Sequence, residues 1–90
     1  MMYEPASEAY ERLIARAVIK HAIKDLGGRD FGLLEIAIKY IASPRFSVHR
    51  ENAGYPTELL DSLTGLGVLS MIQRRILARQ ILKELDKIPA

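Results

Sequence analysis

The stretch from Phe46 to Leu63, FSVHRENAGYPTELLDSL, decides how this chain is read. Helix-forming residues run up to Ala53, Gly54 suits the left-handed conformation that closes a helix, and Tyr55-Pro56 carries the chain to a restart at Thr57. Two short helices joined through a glycine turn are the punctuation of a helix-turn-helix. Ala53 and Tyr55 flank the turn as apolar packers, and Leu60 and Leu63 fall on the inner face of the second helix. Two features oppose a DNA-reading role for that helix. Arg50 stands four residues before the glycine, where a small residue would allow close helix approach. The outward positions Thr57, Glu58, Asp61 and Ser62 include two carboxylates that phosphate repels.

Working outward, Ser7 is the expected N-cap of a first helix running to Leu26, with Glu8 and Glu11 in its acidic first turn and Gly27-Gly28 as its stop. Tyr10, Leu13, Ile14, Ala17, Val18 and His21 form one apolar stripe on it. Ala15, Ile19, Ala22, Ile23 and Leu26 form another, leaving Arg12, Arg16, Lys20 and Lys24 as a solvated ridge. Asp30 caps a second helix from Phe31 to about Ala42. It is apolar nearly all round apart from Glu35 and Lys39, which are spaced for an i,i+4 ion pair, and it therefore reads as central. Pro44 ends it, because the residue before proline is pushed out of the helical region.

Ser47 caps a short helix through Ala53, and Thr57 caps the next, Glu58 to Thr64, which Gly65 and Gly67 break. Ser70 and Gln73 make a capping box for a last helix reaching about Asp86. On that helix Leu77, Ala78, Ile81, Leu82, Leu85 and Ile88 share a face while Ile72 and Ile76 point elsewhere. With no strand-like alternation and no internal repeat, the chain reads as a single all-α domain over residues 1–90, a compact bundle of about five helices. The first and last helices each carry two apolar faces. The reading therefore predicts a homodimer whose interface contains Ile19, Ile23, Ile72 and Ile76.

Ninety residues build one modest core, which is a further reason to expect a partner subunit. The absence of cysteine excludes disulfides and thiolate metal sites. Charged residues interrupt every apolar run before it reaches the length of a bilayer span. The first residues, Met1 to Pro5, lack the basic and apolar regions of a signal peptide, so the expected location is the cytoplasm. The net charge of +2 identifies no partner by itself.

Catalytic patterns are missing. His21 and His49 sit on different helices outside any metal-binding spacing and read as a core-edge and a surface histidine. No serine occupies a nucleophile elbow, and Gly65-Leu66-Gly67 lacks the preceding strand that a phosphate-cradling loop requires. Glu58 and Asp61 are explained by the dipole of the helix they open. The expectation is a non-enzymatic protein with neither metal nor cofactor and no small-molecule substrate. Nucleic acid would be contacted through Arg74, Arg75 and Arg79 of the last helix, helped by Arg45 and Arg50 near the turn, with Thr57 and Ser62 as candidate base-edge groups.

Ala37, Tyr40, Ile41, Ser43 and Phe46, followed by Glu51, Ala53 and Gly54, form a pattern in which the middle third of the chain resembles short helical proteins encoded in phages and prophage-like gene clusters. The pattern departs at Tyr40, where those proteins often have tryptophan, and at Arg50, where they often have cysteine. The resemblance implies a mobile-element protein with a regulatory or nucleic-acid-linked role. The combined expectation is a homodimeric binding module whose partner is DNA or a protein of the transcription or phage machinery. The competing reading is a protein-protein adaptor that binds no nucleic acid.

Overall fold

Six helical segments follow the punctuation of the sequence in a computed structural model that describes residues 4–89, with side chains from residue 8 onward. They are α1 (Glu4–Leu26), α2 (Phe31–Ile41), α3 (Pro44–Ala53), α4 (Thr57–Asp61), a 3-10 helix (Ser62–Val68) and α5 (Met71–Asp86). Among the described residues there is no strand, and no helix is long and apolar enough to cross a membrane.

The predicted caps hold where a side chain can reach its own helix. The Asp30 carboxylate accepts from the Leu33 amide at 3.0 Å. At α5, Ser70 Oγ accepts from the Gln73 amide and Gln73 Oε1 accepts from the Ser70 amide, both at 3.2 Å, which completes the capping box. Gly54 closes α3 at φ 67°, a conformation that a Cβ disfavours.

Several boundaries differ from the sequence expectation. α1 already runs through Ser7, which is therefore inside the helix rather than its cap; its side chain lies outside the described residues. Pro44 both follows the end of α2 and opens α3, since its fixed φ suits the first helical residue and its missing amide loses nothing there. Ser43, not Ser47, precedes that helix, and its hydroxyl donates back to the Tyr40 carbonyl at 2.6 Å. Thr57 is the first residue of α4 and Pro56 holds the cap position. Gly65 and Gly67 do not break the chain but lie inside the 3-10 helix, where Gly67 backs onto Ile38: a Cβ there would sit 3.1 Å from the Ile38 Cδ1, and the isoleucine would have to give by a few tenths of an ångström.

α1 is the axis of the fold. It touches α2, α3, α5 and the 3-10 helix, and the stripe Ala15, Ile19, Ala22, Ile23 and Leu26 is buried among them. Around it pack Leu34, Ala37 and Ile41 of α2, Phe46 and Ala53 of α3, Tyr55 of the turn, Leu60, Leu63 and Leu66, and Ala78, Ile81 and Leu85 of α5. Ile19 and Ile23, both at 0% exposure, thus belong to the core of a single chain and cannot form a dimer interface. The elements folded around α1 close over this stripe, and the opposite one, with Tyr10, Leu13 and Ile14, is left open.

α2 is not central either. With α1 in the middle, α2 has neighbours on one side only and buries Leu34, Ala37 and Ile41, leaving Phe31, Leu33, Ile36 and Ile38 exposed. α5 runs antiparallel to α1. The order of contacts shows it: Arg16 meets Pro89, Lys20 meets Asp86, and Gly27 meets Ala78, where a Cβ on Gly27 would come within 2.7 Å of the Ala78 Cβ.

Candidate binding surfaces

The tandem arginines at the start of α5 have opposite environments. Arg74 is buried; its Nε donates to the Leu26 carbonyl at 2.9 Å and its Nη1 to the Leu69 carbonyl at 2.9 Å. Leu26 is the last residue of α1, where carbonyls lack helical partners and the helix dipole is negative, so a guanidinium is well placed. Arg74 is therefore a strut between α1 and α5 and does not reach a ligand on the surface. Arg16 serves α3 in the same way. Its Nε donates to Ala53, the last residue of that helix, at 2.7 Å, its Nη1 donates to the Pro89 carbonyl at 2.9 Å, and its guanidinium lies 4.6 Å above the Tyr55 ring.

Arg50 is engaged as well. It pairs with Asp61 at 2.6 Å and lies 5.7 Å from the Phe46 ring centre, so it clamps α3 to α4 across the glycine turn instead of facing a nucleic-acid backbone. Thr57 and Ser62 are exposed, but Ser62 Oγ donates to the Leu59 carbonyl at 3.1 Å, and the cleft that holds Thr57 and Arg50 also contains Glu51. Arg45 is exposed at the start of α3 and is not among the residues that line a groove with the α5 cations. The segment selected for its helix-turn-helix punctuation thus brings together two of the predicted contact residues, Arg50 and Thr57, in a setting already neutralised by Asp61 and Glu51.

A different cationic site is assembled by the antiparallel pairing of α1 and α5. Lys24, Gly27, Arg75, Ala78, Arg79 and Leu82 line a groove of about 230 Å³. Its three cations face no carboxylate in the lining, and among the described residues none of them forms an ion pair. Lys24 was legible as part of the solvated ridge of α1, yet nothing local indicated that this ridge meets Arg79. One helical turn or so further along the seam, the charge is cancelled. Lys20 and Asp86 are 2.7 Å apart, and this hydrogen bond holds the ammonium above its ordinary pKa against the opposing effect of partial burial.

The apolar surface is divided over several faces. Ile72 and Ile76 on α5 are 69% and 52% exposed, so this half of the predicted interface remains open to solvent. Phe31 and Ile36 on α2, neither singled out as a contact residue from sequence, are 77% and 63% exposed. The histidines exchange their expected roles. His21 is exposed, 3.5 Å from Asp25, whereas His49 is half-buried and shares a 2.6 Å hydrogen bond through Nδ1 with the Tyr40 hydroxyl. Burial pushes the Tyr40 phenol up to about 12, with Arg45 acting in the opposite direction. Among the described residues, no group of three metal-ligating side chains converges. No family model, curated protein or solved structure matches the chain.

Proposed function

We propose that this protein is a non-enzymatic, homodimeric helical module of the phage-associated type that its middle third resembles. It acts in the cytoplasm and grips the backbone of nucleic acid through the groove between α1 and α5. The observation that carries this reading is the convergence of Lys24, Arg75 and Arg79 around a floor of Gly27, Ala78 and Leu82, with no carboxylate among the lining residues. Such a groove recognises phosphate by charge and carries no base code, since contacts of this kind position a protein without reading sequence. The helix-turn-helix-like segment then has a structural part in the module, with Asp61 of its second helix paired to Arg50.

The test is fluorescence anisotropy with a mixed-sequence duplex over a range of salt. Three neutralised phosphates give a slope of about −2.7 in the log of affinity against the log of salt, and the double variant Arg75→Ala, Arg79→Ala lowers it to about −0.9. Binding that is absent, or indifferent to salt, overturns the reading.

A second reading, a protein-protein adaptor, is favoured by one specific observation. Large apolar side chains stand exposed on α1, α2 and α5, including Tyr10, Leu13, Phe31, Ile36, Ile72 and Ile76. A complex that persists as salt is raised separates it from the first.

A further inference from the structure

Beyond the single side chains Val48 and Val68, exposed apolar residues gather on α1, α2 and α5, and these three faces differ in charge pattern. The outward face of α5 combines Ile72 and Ile76 with Arg79 and Lys83, and that of α1 combines Tyr10, Leu13 and Ile14 with His21 and Lys24. The carboxylates that border these faces already have partners in their own chain, Asp25 lying 3.5 Å from His21 and Asp86 pairing with Lys20 at 2.7 Å. α2 is different. Leu34, Ala37 and Ile41 point into the core, so at about 100° per residue the opposite ridge consists of Gly32, Glu35, Ile36 and Lys39, all exposed. Glu35 precedes Lys39 by four residues, the favourable order for an ion pair within a helix, yet among the described residues the two form no such pair. Both charges are open to a partner.

We infer that the outer face of α2 is a self-complementary interface on which a second copy of this chain docks, α2 antiparallel to α2, with Glu35 of each copy opposite Lys39 of the other. The inference deepens the homodimer element of the proposed function and rests on it. A two-fold axis at the level of Ala37 sets residues equally far on either side of it face to face. Glu35 then lies at the height of the second copy's Lys39 on one side of the axis, and the reverse pair forms symmetrically. Ile36 meets Ile36 close to the axis, each within about 1.5 Å of its level, so the most exposed isoleucine of this helix is covered by its own symmetry mate. Gly32 falls opposite Ala42. Small against small, they let the helices approach at both ends and leave Phe31, 77% exposed, beside a surface it can cover.

The experiment is sedimentation equilibrium at low salt on the wild-type chain, Glu35→Lys, Lys39→Glu and the double charge swap, with far-ultraviolet circular dichroism to show that helicity is kept. The wild type is expected to dimerise reversibly. Each single reversal replaces two attractive pairs by two repulsive ones and raises the dissociation constant about tenfold, whereas the double swap returns it to within about threefold of wild type. Ile36→Asp is expected to abolish the dimer. A double swap no better than the single reversals overturns the inference. So does a dimer that ignores all four variants; self-association then stands but uses another face. A wild type that stays monomeric removes both the inference and the homodimer reading while leaving the cationic groove to its own test.

Discussion

Ile19 and Ile23 on α1, and Ile72 and Ile76 on α5, are the same residue at the same four-residue spacing, yet the first pair is fully buried and the second is more than half exposed. Arg74 and Arg75 repeat the contrast within a dipeptide. One is buried and spent on two carbonyls, and the other lines an open cationic groove. The seam where α1 meets its neighbours and the outward face of α5 have similar side chains. They differ in what stands opposite. α1 is covered by α2, α3, α5 and the 3-10 helix, while α5 turns only the Arg74, Ala78, Ile81 and Leu85 side of its surface inward. The lesson is that an apolar or cationic residue acquires its role from the facing element.

The most severe way to break this comparison is to truncate one isoleucine from each region. Ile23→Ala should cost about 3 kcal/mol, through lost burial and the cavity left in a close-packed core. Ile72→Ala should stay within about 0.5 kcal/mol. Urea denaturation followed by circular dichroism measures both, and equal losses would show that the outward face of α5 is covered in the free chain.

The arginines give the next largest contrast. Arg74→Ala leaves the Leu26 and Leu69 carbonyls without their charged donor and should cost about 2 kcal/mol, or roughly 10 °C in melting temperature for a domain of this size. Arg75→Ala should leave the melting temperature nearly unchanged and act only on anion binding. Should Arg74→Ala instead melt like the wild type, its assignment as a strut fails.

The smallest effect sharpens the boundary between the closed and open sides of α2, where Tyr40 is half-buried. Its phenol ionises near 12 in the folded chain against 10.0 for the free group, so folding favours the protonated form. The contribution to stability is therefore complete below pH 10 and is lost as pH rises through about 12. Tyrosinate absorbance should show a late-titrating step, and Tyr40→Phe should remove it. A late step that survives the substitution would place the protected phenol elsewhere.

The elements most legible in the sequence were those whose bonds span three or four residues. Asp30, Gly54 and the Ser70–Gln73 box were readable because a cap is satisfied within its own helix. Pro44 and Gly67 were misread for the complementary reason. Proline serves equally as the stop of one helix and the first residue of the next, and Gly67 is accommodated in a 3-10 turn against Ile38, a residue far away in the chain. The candidate site was half legible. Arg75 and Arg79 stood out on one helix, but Lys24 joins them only through the antiparallel packing of α1 on α5, and Arg74 and Arg50 were diverted to Leu26 and Asp61 by the same kind of long-range contact.

By itself the sequence determined an all-helical chain, where its main turns fall, and that its long helices have more than one apolar stripe, because helix periodicity and capping are local physics. Only the tertiary structure decided which stripe is core, which arginines are struts and which cations converge, because a side chain is buried or left free by residues that no local spacing brings near it.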